Sequence, residues 1–148
     1  MRVVLDTNVL IRAHARTHTL ARRLLNEIIG RGHRLILSNE IIAEVVRVLR
    51  YPKFQDLYGL TDAELLEYAQ FLQSVADLAV LDIRYASPLR DPEDMAVLQT
   101  AERGAADVLC THDADFYDTA VLSFCSELGI IVCDEVTLAA RLLGPSTS

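Results

Sequence analysis

The stretch MRVVLDTNVLIRA, residues 1–13, decides how the rest of the chain is read. Val3, Val4 and Leu5 form a short apolar run without polar alternation, which suits a strand buried on both faces. Asp6-Thr7-Asn8 then ends the run with a carboxylate. That carboxylate is either the polar stop of a buried strand or the first part of a site. Other acids, if the fold delivers them to the same place, decide between the two.

Four more apolar runs repeat the pattern: Arg34–Leu37, Leu78–Ile83, Asp107–Cys110 and Ile130–Cys133. Helical periodicity fills the intervals. Leu20, Leu24 and Ile28 mark one helix ending near Gly30 and Gly32, and Ile41, Ile42, Val45, Val46, Val48 and Leu49 mark another, stopped before Pro52. Thr61-Asp62-Ala63-Glu64 reads as a capping box, with Leu60 and Leu65 placed as a hydrophobic staple. Asp91-Pro92 opens a further helix that closes at Gly104, and two more are expected near 116–128 and 135–143. Strands alternating with helices predict an α/β fold, a three-layer α/β/α sandwich around a mostly parallel five-stranded sheet. Residues 1–143 read as a single domain and 144–148, Gly-Pro-Ser-Thr-Ser, as a flexible tail.

Composition narrows the function classes. With 148 residues, 51% of them apolar, the chain has enough material for one domain with a real core and too little polarity for disorder. No apolar stretch approaches the ~20 residues of a membrane helix, and the first residues lack the features of a secretory signal. A cytoplasmic setting is expected. Cys110, Cys125 and Cys133 are odd in number and lack CxxC spacing, which argues against a disulfide framework or a structural zinc site. Net charge is −7, but residues 1–50 carry nine Arg against four acids. Lys53 is the single lysine. Arginine grips phosphates in fixed geometry, so the split is either a phosphate-facing region or an ordinary solvated surface.

The acids are the main signal. Ligands bind beyond the carboxyl ends of the strands in an open parallel sheet. Asp6 lies at such an end, Ser38 at another, and His112, Asp113 and Asp115 at a third. Glu44 falls at the border between the polar and apolar faces of the helix after Ser38, where it either reaches inward or pairs with Arg47 or Arg50. Glu40, in the first turn, is explained by the helix dipole. Asp94 sits at the centre of an apolar face formed by Met95, Val97, Leu98 and Ala101. A carboxylate there is costly unless it meets free backbone N–H groups, a partner or a metal. Asp113 and Asp115, taken singly, are turn formers or caps. Taken together, the acids repel one another unless a divalent cation lies between them, and hard oxygen ligands favour Mg²⁺ or Mn²⁺. His112 either contacts substrate or is a passive loop histidine. His14 and His18 carry little signal for a metal.

Four segments in order, VVLDTNVLI, LSNEIIAEVVRVLRYPKF, RDPEDMAVLQTAERGAADVLCTHDADF and GIIVCDEVTLAARL, resemble a PIN domain. More specifically, they resemble bacterial PIN proteins related to the VapC group, described as toxins of toxin–antitoxin systems. The resemblance implies a Mg²⁺- or Mn²⁺-dependent endoribonuclease, a hydrolase of RNA phosphodiester bonds. It implies Asp6, Glu44, Asp94 and Asp113 as catalytic metal ligands, with Asp115 as an additional or alternative acid. Asn8, Ser38, Arg12 and His112 would support the site or contact substrate. RNA, an antitoxin protein and a second copy of the chain are the implied partners, and a membrane is not. His112 departs from the small residue many relatives carry there, which bears on substrate preference. The competing expectation is a non-catalytic, metal-binding interaction or dimerisation module. A phosphoacceptor domain is disfavoured by the context of Lys53, and a haloacid-dehalogenase phosphatase by Asn8 at its second acid position.

Overall fold

The computed structural model of the protein describes residues 1–82, 88–89 and 91–144. Its elements run β1 (Arg2–Leu5), α1 (Thr7–Ile11), α2 (Leu20–Gly30), β2 (Arg34–Leu37), α3 (Asn39–Leu49), α4 (Pro52–Tyr58), α5 (Asp62–Val75), β3 (Ala76–Leu78), α6 (Pro92–Arg103), β4 (Val108–Cys110), α7 (Thr119–Glu127), β5 (Ile131–Cys133) and α8 (Glu135–Leu143). A one-turn 3-10 helix spans Ala114–Tyr117 between β4 and α7. The strands form one sheet in the order β3-β2-β1-β4-β5, and all four pairings are parallel. Helices layer on the sheet in the expected α/β/α arrangement. Among the described residues no helix is long and apolar enough to cross a membrane.

β1 is central, and after Arg2 it is apolar: Val3, Val4 and Leu5 are fully buried. β2 pairs on one side of it and β4 on the other. The chain moves outward from β1 to β2 and β3, then crosses back through α6 to β4. The order therefore reverses between β1 and β4, and the crevice outside the carboxyl ends of strands at such a reversal is where α/β sheets bind ligands. Asp6 and Thr111 are the residues that immediately follow these two strands.

Helix boundaries follow local chemistry. Ser38 caps α3 by accepting the Ile41 N–H at 3.3 Å, and its hydroxyl lies 2.9 Å from that of Thr100 on α6. The capping box at Thr61 forms with both bonds present, and Leu60 and Leu65 are buried as a staple requires. Asp91 caps α6 through the Glu93 N–H, ahead of Pro92. α1 and α4 do not emerge from periodicity, since five and seven residues are too short to display it. The helix expected near 116–128 is divided into the 3-10 turn and α7.

The third strand differs from expectation. It covers Ala76–Leu78 instead of Leu78–Ile83, and Ile83 lies outside the described residues. β2 supplies the reason. Its last residue, Leu37, pairs with Leu78, and its carbonyl accepts the Ala79 N–H at 2.8 Å, after which no ladder partner remains. β3 is an edge strand, so the apolar Val80 beyond it is exposed rather than buried. β4 and β5 each begin one residue later than expected, and Asp107, just before β4, instead accepts the Arg2 N–H at 2.8 Å. Of the expected tail at 144–148, residues 145–148 also fall outside the described residues.

Gly104, which closes α6, marks the tightest approach between that helix and the sheet. A Cβ there would lie 2.2 Å from Ile36 Cγ2 and 2.9 Å from the Thr100 carbonyl oxygen. Its backbone angles suit any residue, so the requirement is space. Gly104→Ala is expected to lower unfolding stability by about 1–3 kcal/mol. Urea denaturation measures this, and an unchanged midpoint would contradict the close approach.

Candidate functional site

Asp6 N-caps α1 at the end of β1 and is 5% exposed. Its two carboxylate oxygens are each held: Oδ1 accepts the Thr7 N–H and Oδ2 the Thr111 hydroxyl, both at 2.7 Å. Its own N–H donates to the Cys110 carbonyl at 3.0 Å. Burial raises the Asp6 carboxyl above its ordinary range, and the bonds from Thr111 and Thr7 work against that shift. Arg12 at the end of α1 also favours the charged form.

Thr111 was not singled out from the sequence, yet it organises this corner. Its buried hydroxyl donates to Asp6 and accepts the Asp113 N–H at 3.0 Å, while its carbonyl accepts the Tyr117 hydroxyl at 2.7 Å. The available signal was its position, a hydroxyl residue directly after a buried strand and two before the first acid of the HDAD stretch. Asp113 in turn accepts the Asp115 N–H at 2.9 Å, forming the turn that leads into the 3-10 helix. The turn-forming and site readings of Asp113 thus coexist.

Asp94 enters from the first turn of α6, on the same side as the buried Val97, Leu98 and Ala101. One carboxylate oxygen from each of Asp94, Asp113 and Asp115 can be chosen so that all three lie within 4.8 Å of one another. Burial and then the charges of Asp113, Asp91, Asp6 and Asp115 push the Asp94 carboxyl up to about 7. Glu44 on α3 is half-buried and accepts the Thr7 hydroxyl at 3.2 Å. Burial first, and then the neighbouring Glu93, push it up to about 7, with Asp6 contributing in the same direction.

Five acids from four segments are therefore linked electrostatically, but not equally. Asp94, Asp113 and Asp115 make the tight group, whereas Asp6 and Glu44 stand behind and beside it. Among the described residues no cation pairs with the tight group. Three hard oxygen donors in mutual repulsion, one of them with a raised carboxyl, fit a divalent cation such as Mg²⁺ or Mn²⁺.

The supporting residues take varied places. Ser38 is fully buried and tethers the Glu44 helix to the Asp94 helix through Thr100, so its role is structural. Asn8 is exposed on α1. Arg12 and His112 converge on Glu135, the buried first residue of α8: Arg12 Nη2 donates to Glu135 Oε1, and His112 Nε2 lies 3.2 Å from the same oxygen. Glu135 is a second residue that the sequence reading missed. His14 is buried against Tyr58 and Tyr68, away from the acids.

The arginine-rich N-terminal third is largely satisfied within the fold. Arg2 and Arg34 pair with Asp77, Arg16 with Glu64, Arg31 with Glu27, Arg47 with Glu93 and Arg50 with Asp62. The charge split along the sequence thus reflects, in good part, N-terminal arginines meeting acids of later elements.

A strand reversal with carboxylates at its mouth defines the class, an acidic-site α/β domain. The sequence profile of the PIN domain matches residues 2–115, and the chain belongs to the PIN domain family. PIN domains are generally nucleases, hydrolases that typically use divalent metals, and the acidic group here is placed to hold one. No curated protein matches the chain.

Two outcomes follow for the acids. The folded-state values of Asp94 and Glu44, about 7, lie above their ordinary 3.8 and 4.5, so the folded protein keeps protons that the unfolded chain releases. Stability present at low pH is therefore lost as pH rises from those ordinary values through 7. Asp94→Asn, in EDTA, is expected to gain about 1–2 kcal/mol over wild type at pH 8 after solvent screening, and nothing at pH 3. Denaturant titrations at both pH values measure the difference, and equal stability at pH 8 would count against the repulsion. Thr111→Val keeps the shape but removes the bond to Asp6. It should weaken Mn²⁺ binding about 10-fold, read by calorimetry.

Proposed function

We propose that this chain is a Mg²⁺- or Mn²⁺-dependent endoribonuclease that hydrolyses RNA phosphodiester bonds. The observation that carries the reading is the convergence of Asp94, Asp113 and Asp115 within 4.8 Å, beside the buried Asp6, at the reversal point of a PIN-domain sheet. A divalent cation held there would lower the pKa of a bound water and offset charge on the phosphate.

The chain's own residues divide the remaining work. Asp94 on α6 and Asp113 and Asp115 at the turn after β4 would hold the cation. Asp6 and Glu44 complete the negative wall, with Thr111 and Thr7 fixing their oxygens. A carboxylate of the Asp113–Asp115 turn would orient the attacking water. Arg12, held at the mouth by Glu135, keeps further N–H donors for a phosphate oxygen.

The resemblance to VapC-related proteins supports a wider reading, in which the nuclease is the toxin of a toxin–antitoxin pair and works as a homodimer. Leu57 on α4 and Leu66 on α5 are largely exposed and offer apolar surface to an antitoxin or a second copy. All three cysteines are free thiols, in keeping with a cytoplasmic setting. Asp6→Asn and Asp94→Asn are expected to reduce Mn²⁺-dependent cleavage of total cellular RNA at least ~100-fold while the fold persists by circular dichroism. Full activity in both variants would sink the assignment. Metal-dependent stabilisation of wild type with no cleavage of any RNA would support the non-catalytic interaction module instead.

A further inference from the structure

Tyr117 occupies an unusual position for a large aromatic ring. It is 38% exposed, yet its hydroxyl is tied at 2.7 Å to the carbonyl of Thr111, the residue that also holds Asp6. The ring is therefore open to a ligand but not free to swing, and an immobile ring loses little entropy when something stacks on it.

Two clefts share Tyr117 as a wall. One, of about 570 Å³, contains Asp94 and Asp115 together with Leu89 and Val121. The other, of about 420 Å³, contains His112, Val132 and Asp134. His112 is exposed on that side, and its Nε2 is directed to the buried Glu135 at 3.2 Å, which restrains the imidazole as the Thr111 carbonyl restrains the phenol. Two restrained rings and the Val132 side chain thus border a space next to the acids. The Asp134 carboxylate in the second cleft repels phosphates, so a backbone is not what this cleft accommodates. A flat, polar-edged group attached to a phosphate lying at the acids fits it: a nucleobase.

We propose that Tyr117 and His112 form a base-binding subsite for a nucleotide flanking the cleaved phosphate, with Glu135 as a positioning residue that sets the imidazole and Arg12 side by side. The inference rests on the nucleic-acid reading of the acidic site, but its test does not require cleavage. Base–aromatic stacking tolerates every base and is lost on truncation of the ring. Removing the phenol hydroxyl leaves the stacking surface in place.

The probes are fluorescein-labelled oligo(A), oligo(U) and oligo(C), and an abasic ribose-phosphate strand of equal length, measured by anisotropy with Ca²⁺ in place of Mn²⁺. Wild type is expected to bind at least one base-bearing strand about 10-fold more tightly than the abasic strand. Tyr117→Leu should erase that difference without weakening binding to the abasic strand, and Tyr117→Phe should retain most of it. A wild type that binds base-bearing and abasic strands equally would overturn the subsite, independently of how any variant folds. So would a Tyr117→Leu protein that keeps the full preference. Base-dependent binding through Tyr117 in a protein that cuts no RNA would support the subsite while overturning the ribonuclease reading alone. Conversely, RNA cleavage with an unchanged KM in Tyr117→Leu would overturn the subsite and leave the ribonuclease standing.

Discussion

Where β1 ends beside β4, Asp6 donates its backbone N–H to the Cys110 carbonyl and accepts the Thr111 hydroxyl. This junction joins the first strand to one that follows it by about a hundred residues. The ladder bond fixes the relative height of the two strand ends, and the side-chain bond fixes the direction of the carboxylate. Displacing either strand by one residue would exchange inward and outward side chains and turn Asp6 away from the crevice. The rest of the acidic site is built against this fixed point.

The site is a compromise between electrostatics and packing. Asp94 and Glu44 are raised to about 7 because burial and neighbouring acids oppose their ionisation. Nothing about a stable sheet requires carboxylates there, and the surrounding framework absorbs the cost. Ser38, with the Ile41 N–H on one side and Thr100 on the other, ties together the two helices that carry these acids. Gly104 lets α6 lie close against Ile36. The apolar core that surrounds these contacts is what keeps mutually repelling groups in place.

A second layer of organisation extends from Thr111 and Glu135. Thr111 connects Asp6, Asp113 and Tyr117 through one hydroxyl and one carbonyl, and Glu135 gathers Arg12 and His112 from distant parts of the chain. Each is a small network anchored on a buried polar residue, Thr111 or Glu135, whose partners are satisfied, which is the condition for such networks to rigidify a site instead of weakening it. They link the acids to the aromatic and basic groups at the rim.

Much of this was legible in the amino-acid sequence. Apolar runs and caps located four of the five strands and the longer helices, because each is set by local periodicity and by residues such as Thr61, Asp91 and Gly104. That Asp6, Asp113 and Asp115 share one sheet edge was also legible, since a parallel sheet aligns its strand ends, whereas the helical positions of Glu44 and Asp94 left each between a structural role and a site role. Edge strand β3 was misplaced, because its limits depend on where β2 stops and not on its own apolar content. Tertiary structure alone decided which three acids approach closely, that Thr111 and Glu135 hold the neighbouring groups, and that most N-terminal arginines meet acids of later elements. Those outcomes depend on distances between segments far apart in the chain, and local sequence carries the residue types but not the separations.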